Sequence, residues 1–177
     1  MSQATAADVL MMAGSPSDLD LVIACEETLS QLGLTSEIRL ASAHRTPDLA
    51  AEIAREAAAN GHGVVITFAG MAAHLGGVVA AHTILPVIQV PVASGALGGI
   101  DAALASLQMP PGVPVAAVAI DGARNAALLA ARMLAIGRPE LREQLTKLHD
   151  RERARYSPEV APDLIAKARS ARQAQKA

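Results

Sequence analysis

Residues 57–100 read AAANGHGVVITFAGMAAHLGGVVAAHTILPVIQVPVASGALGGI, and these 44 residues contain no Asp, Glu, Lys or Arg. An uncharged run of this length raises the membrane question, because a spanning helix needs about 20 consecutive apolar residues. Here Gly61, Gly63, Gly70, Gly76, Gly77, Pro86, Pro91, Gly95, Gly98 and Gly99 cut the run into short pieces, and His62, His74 and His82 add polar groups. No membrane span is expected. VVITF over Val64–Phe68 and PVIQVPV over Pro86–Val92 read instead as strands buried on both faces. The internal Pro91 is expected to end the second of these.

Outward from this core the pattern alternates. DVLMMA over Asp8–Ala13 is a first strand, broken at Gly14-Ser15-Pro16-Ser17-Asp18. Leu19, Val22, Ile23, Leu29 and Leu32 then recur at helical spacing up to Gly33. SEIRLA over Ser36–Ala41 is a second strand, followed by a turn and an alanine-rich helix to Asn60-Gly61. Helices are expected over Ala72–Ala81 and Gly98–Leu107, a fifth strand over Val113–Ile120 and a fifth helix over Gly122–Ile136. Five strands alternating with helices predict a three-layer α/β/α domain around a five-stranded parallel sheet in flavodoxin-like order.

Composition narrows the class. Residues 1–137 hold five basic and eleven acidic groups, net −6, while residues 138–177 hold ten basic and six acidic, net +4. The chain as a whole stands at −2 with 1% aromatic residues, which gives neither the field nor the stacking platforms of a nucleic-acid binder. Cys25 is alone, which excludes a disulfide framework and a multi-cysteine zinc site. Its place in a helical pattern reads as a small buried residue. The segment MSQATAADV has no basic stretch ahead of an apolar one, so no signal peptide is read and a cytoplasmic protein is expected. The organisation expected is a disordered N-terminus over 1–7, an α/β catalytic domain over 8–137 and a C-terminal helical arm over 138–177. Within the arm Leu141, Leu145 and Leu148 keep helical spacing, and Pro158 and Pro162 interrupt it. The arm reads either as a solvated tail or as a strap on a neighbouring subunit.

In an open α/β sheet, ligands bind beyond the carboxyl ends of the strands. Three polar segments stand there: Gly14–Asp18, Ser42–Thr46 and Gly70–His74. Each leads into a helix N-terminus, where free N–H groups and the dipole favour an anion. Ser17 alone reads equally as an N-cap, and Asp18 as a capping residue or a ligand for ribose hydroxyls. The Arg45 guanidinium fork suits a phosphate or a surface ion pair. His44 and His74 lie at adjacent strand ends, where two imidazoles sharing a pocket would serve proton transfer. No third ligand is spaced with them, so no metal is expected. These residues alone imply a cytoplasmic α/β domain that binds a phosphorylated small molecule.

The ordered set Gly14-Ser15-Pro16-Ser17-Asp18, Ser42-Ala43-His44-Arg45-Thr46-Pro47, Ala69-Gly70-Met71-Ala72-Ala73-His74-Leu75 and Gln108-Met109-Pro110-Pro111-Gly112-Val113-Pro114-Val115 goes further. It resembles the N5-carboxyaminoimidazole ribonucleotide mutase family of purine biosynthesis, also called the catalytic subunit of phosphoribosylaminoimidazole carboxylase. The resemblance covers about residues 8–150, and Asn125–Ala131 looks like the family's last core helix. It implies transfer of a carboxylate from the exocyclic nitrogen to ring carbon C4 without metal, biotin or ATP. It further implies that Ser15 and Arg45 hold the 5′-phosphate, that Asp18 binds ribose hydroxyls and that His44 is the acid–base residue. Ser42 and Ala43 would line the same turn, and Gly70, Ala72, His74 and Leu75 would cover the base and the carboxylate.

Three positions depart from the common bacterial pattern. Gly70-Met71 stands where many members have Gly-Gly, His74-Leu75-Gly76-Gly77 where they have His-Leu-Pro-Gly, and Ser94-Gly95 where a cation follows the serine. A sister class carboxylates aminoimidazole ribonucleotide directly with CO2 and carries an Arg-Ser-Asn-type segment where this chain has Met71-Ala72-Ala73-His74, so His74 favours the mutase. A non-catalytic ribonucleotide-binding module is the reading from another class.

The helices expected over Ala72–Ala81 and Gly98–Leu107 have almost no polar face, and a helix apolar all round is normally buried. A chain of 177 residues has little room to bury them, so they are expected to pack between subunits. The octamer that the resemblance implies fits that expectation.

Overall fold

The computed structural model describes residues 7–174. The expected disordered segment therefore lies, but for Ala7, outside the described residues. Five strands form one sheet: β1 (Val9–Ala13), β2 (Ser36–Leu40), β3 (Val64–Gly70), β4 (Val87–Val92) and β5 (Ala116–Ala117). Their order is β2-β1-β3-β4-β5, every pairing is parallel, and β1 lies between β2 and β3 in continuous register. This is the flavodoxin-like order expected, with the reversal of strand order between β1 and β3.

Burial explains the uncharged run. Every residue of β1 and β4 is buried, as are Val64–Ala69 of β3, because helices cover both faces. On one face α1 (Leu19–Gln31) and α5 (Ala123–Leu134) pack on Val9, Met11, Ile66, Phe68, Ile88 and Val90, and α6 (Pro139–Ala154) packs on α5 and adds Leu141 to the same core. On the other, α2 (Pro47–Glu56), α3 (Leu75–Ala80) and α4 (Ile100–Leu107) pack on Leu10, Met12, Val65 and Val87. Each fully buried Leu, Val, Ile or Phe contributes about 1.5–3 kcal/mol, so this double layer supplies the main stabilisation. A last helix, α7 (Ala161–Ala174), leaves Leu164 and Ile165 exposed. None of the described helices is long and apolar enough to cross a membrane.

Several boundaries differ from the sequence expectation, each for a local reason. The fifth strand was expected over Val113–Ile120 and spans only Ala116–Ala117. Pro114 removes a donor just ahead of it, and it forms the sheet's edge, where a short strand limits pairing with another chain. Strand β4 runs through Pro91 to Val92 instead of stopping at the proline. The Pro91 carbonyl accepts from Asp121 N (2.9 Å), on the side where the β5 ladder has already ended, so the missing N–H interrupts nothing. Helix α3 begins at Leu75, not Ala72, because Met71 is left-handed (φ 51°) and Met71–His74 form a tight turn. Helix α4 begins at Ile100, not Gly98, because Gly98 and Gly99 both have positive φ (58° and 89°).

A polar tie crosses the apolar core beneath α3. Gln89 in β4 is fully buried. Its Oε1 accepts from Gly76 N (2.8 Å) and from Thr67 Oγ1 (2.7 Å), while its Nε2 donates to Val90 O (3.2 Å). A buried amide left unpaired would cost about 1–3 kcal/mol, and here both its oxygen and its nitrogen find partners. The tie anchors the first turn of α3 to the sheet, and with it His74 and Leu75. A Cβ at Gly76 would collide with Gln89 Oε1, which accounts for glycine at that position.

Candidate active site

The three polar segments meet at the carboxyl ends of β1, β2 and β3 and, with the end of β4, enclose a cavity of about 180 Å³. All ten residues singled out in the sequence line it: Ser15, Asp18, Ser42, Ala43, His44, Arg45, Gly70, Ala72, His74 and Leu75. Gly14, Ser17, Ala69, Met71 and Ser94 complete the wall. A larger groove of about 530 Å³ between α1, α5 and α6 gathers Arg124, Lys147 and Arg151. Two of its cations are already engaged, Arg124 by Glu152 at 3.0 Å and Lys147 by Glu143 at 3.2 Å.

The first segment is a single 3₁₀ turn, Pro16–Asp18. Its cap is Ser15, not Ser17: the Ser15 Oγ accepts from Ser17 N (3.3 Å) and from Ser17 Oγ (2.8 Å). Asp18 occupies the cap position of α1 but makes no side-chain capping bond. Its carboxylate accepts instead from Ser17 Oγ (3.1 Å) and is buried beneath the turn. Burial pushes the Asp18 pKa up from its ordinary value, and the bond from Ser17 only partly offsets this. A desolvated carboxylate beside a crevice gains by accepting hydrogen bonds from incoming hydroxyls.

The second segment folds on Ser42. The Ser42 Oγ accepts from His44 N (3.4 Å) and Arg45 N (3.3 Å). Thr46 Oγ1 accepts from Ser42 N (2.9 Å), and Thr46 N donates to Ser42 O (3.0 Å). Pro47 then opens α2 with its φ preset for a helix. The loop holds its own shape and leaves the His44 and Arg45 side chains exposed toward the crevice. Arg45 is the one Lys or Arg that lines the cavity, and its planar fork matches a phosphate.

The third segment brings His74 to His44. Their rings stand 5.0 Å apart between centroids at 66°, and His44 Nε2 lies 2.9 Å from His74 Nδ1. A hydrogen bond between two ring nitrogens requires one N–H and one lone pair. The pair therefore shares a proton, and the tautomer of one imidazole sets that of the other. Among the described residues no group of three or more His, Cys, Asp or Glu is arranged to hold a metal ion.

Two polar residues of the wall were not singled out as site residues in the sequence. Ser17 was read as a cap, and its hydroxyl instead links Ser15 to Asp18. Ser94, just beyond β4, faces Gly70, and a Cβ on Gly70 would overlap its Oγ. The signal for Ser94 in the sequence was faint, a serine after a strand where a following cation was expected. Cys25, read as a small buried residue, is fully buried, and burial pushes its thiol up to about 12.

Strand order and crevice together define a doubly wound α/β protein with a crevice at the topological switch point, where ligands bind in such folds. The chain belongs to the AIR carboxylase family, whose model matches residues 8–155. It is 51% identical over 134 residues to the N5-carboxyaminoimidazole ribonucleotide mutase of Pyrococcus horikoshii, covering 76% of each chain. It is 49% identical over 138 residues to the enzyme of that name from Mycobacterium tuberculosis, covering 78% of this chain and 79% of the relative. Among solved structures, Treponema denticola PurE superposes with a TM-score of 0.76 at 29% identity, covering 83% of this chain and 92% of that one.

Proposed function

We propose that this protein is an N5-carboxyaminoimidazole ribonucleotide mutase, an isomerase that moves a carboxylate from N5 to C4 in the synthesis of purine nucleotides. The observation that carries the reading is the imidazole pair His44–His74, 2.9 Å apart, in the same cavity as Arg45, Ser15 and Asp18. Identity near 50% to relatives of that name supports the particular reaction.

The substrate is a ribonucleotide whose 5′-phosphate sits between Ser15 and the Arg45 guanidinium, with Asp18 accepting from ribose hydroxyls. The heterocycle lies under Gly70, Ala72, His74 and Leu75, and Ser42 and Ala43 shape the turn that carries His44. Cleavage of the N–CO2⁻ bond returns its electron pair to nitrogen, and protonated His44 supplies the proton that nitrogen then takes. C4 attacks the freed CO2, forming the new C–C bond and leaving a proton on C4. Neutral His44 removes that proton, so the residue ends as it began. His74, hydrogen-bonded to His44, holds the ring orientation through both transfers. The alanine- and glycine-rich wall keeps CO2 in an apolar space until it is recaptured. No cofactor is needed, because each step moves only a proton and CO2.

The assembly is part of the proposal. Leu97, Ile100, Leu104 and Leu107 on and beside α4, together with Ile84 after α3, are all more than half exposed. A cluster of exposed large aliphatics along one helix suits a protein interface. We assign it to copies of this chain, in an octamer. The catalytic domain over 8–137 carries this face, and α6 and α7 form the arm over 138–177. The enzyme works in the cytoplasm, binding neither nucleic acid nor membrane.

Purified protein given N5-carboxyaminoimidazole ribonucleotide should form the C4 carboxylate, followed by the product's ultraviolet absorbance. No conversion by well-folded protein would sink the assignment. Direct carboxylation is measured in the same apparatus, with aminoimidazole ribonucleotide and low bicarbonate, and is expected to be much slower.

A further inference from the structure

We infer that Ser94 is a substrate-binding residue, and that its hydroxyl donates a hydrogen bond to the carboxylate that migrates. The inference rests on the mutase reading for the identity of the ligand. Among the described residues, Ser94 Oγ is the one buried side-chain polar atom without a hydrogen-bond partner. Leaving a hydroxyl unpaired and out of water is costly, so native proteins hold few such groups, and one on the wall of a crevice is placed to meet a ligand. The other three serines of the cavity wall are already engaged: Ser15 and Ser17 with each other, and Ser42 with the backbone of its own loop.

Position selects the part of the ligand that Ser94 meets. Ser15 and Arg45 stand at the ends of β1 and β2, whereas Ser94 follows β4, with β3 between. Strands lie about 4.8 Å apart, so two spacings separate the β1 end of the crevice from the β4 end by roughly 10 Å. That span is the scale of a ribonucleotide laid from its phosphate to its heterocycle. With the phosphate at β1 and β2, the carboxylated ring falls at β3 and β4, against Gly70 and Ser94. Gly70 has no side chain to separate them, since a Cβ there would occupy the place of Ser94 Oγ. The crevice carries no Lys or Arg at that end, so a neutral donor is what this chain offers the second anionic group.

The test compares Ser94→Ala with the parent in three measurements. Calorimetry reads binding of two nucleotides, 4-carboxy-5-aminoimidazole ribonucleotide and 5-aminoimidazole ribonucleotide, which differ only in the carboxylate. The variant should bind the carboxylated nucleotide about tenfold more weakly, the loss expected for one hydrogen bond to a charged group, and bind the other within twofold of the parent. Its melting temperature should equal or exceed the parent's, because an unpaired buried hydroxyl has been removed. Equal weakening of both nucleotides, no weakening of either, or a lowered melting temperature would overturn the inference; the last would mark the hydroxyl as structural. The mutase reading fails separately, on the turnover of the parent. A parent that discriminates through Ser94 without converting substrate keeps this inference and loses that reading, and a parent that binds neither nucleotide loses both.

Discussion

The crevice at the strand ends and the apolar face around α4 expose residues of opposite character. Leu75 opens α3 and lines the crevice, whereas the outer apolar face belongs to α4, Leu97 and Ile84 beyond the end of α3. The crevice is concave and polar, its residues held by local hydrogen bonds and by the Gln89 tie beneath. The outer face is aliphatic, and α4 contributes to its own core only Ala102 and Ser106 as buried residues. The covered side of the sheet provides the control. There α5 buries Ala123, Ala126, Ala127, Ala130 and Ala131, and α6 caps it with Leu141. Small residues let helices approach closely on that side, whereas Ile100, Leu104 and Leu107 of α4 are left exposed. Convergent polar groups mark a small-molecule site, and uncovered large aliphatics mark a protein contact.

The comparison breaks first in the crevice. His44→Asn should lower kcat by about 10² to 10⁴, the range of a lost acid–base group, while nucleotide affinity stays within a few-fold of the parent. A variant with near-parental turnover would remove His44 from the chemistry. Arg45→Ala should act on the other kinetic constant, raising KM by about 10- to 100-fold with a smaller change in kcat, since it deletes a charge-assisted contact made before the reaction begins.

On the outer face, Leu104→Asp should leave the fold intact and weaken assembly by about tenfold or more, because each burial of a leucine is worth about 1.5–3 kcal/mol. Light scattering at micromolar concentration reads the outcome, and a parent that is already monomeric would refute the interface. The smallest effect is expected at Asp18. Burial raises its folded pKa above 3.8, so the folded protein holds that proton more tightly than the unfolded chain does. Stability from this group therefore rises as pH falls through the folded pKa toward 3.8 and is absent at neutral pH. Asp18→Asn should melt slightly higher at pH 7, lose that rise on acidification and bind nucleotide more weakly. Melting curves across pH 3.5–7 that match the parent's would contradict the burial argument.

The sequence made the frame legible where burial speaks plainly. Val64–Phe68 carries no charge because both faces of β3 are covered, and the polar breaks after β1, β2 and β3 stand out against that apolar background. The crevice was readable for the same reason: nine polar or small residues beyond the strand ends, with Leu75 at the start of α3, converge once the strand order is known. What stayed hidden depends on contacts distant in the chain. Pro91 reads as a terminator until the β5 ladder is seen to stop short of it. Met71 gives no sign of its left-handed backbone, so α3 was begun three residues early. Ser94 reads as an ordinary loop serine, and only the packing against Gly70 shows that its hydroxyl is unpaired. Gly76, a departure from the family pattern, has its reason in the tie to Gln89.

A crevice that breaks the N–C bond and makes the C–C bond with the same CO2 should pass a carboxylate label from substrate to product. The most direct measurement supplies N5-carboxyaminoimidazole ribonucleotide bearing a heavy-carbon label in its carboxylate, in a large excess of unlabelled bicarbonate, and reads the product by mass spectrometry. The account predicts that the label is retained in the C4 carboxylate. Product labelled only to the level of the surrounding bicarbonate would contradict it and make the protein a carboxylase that draws its CO2 from solution.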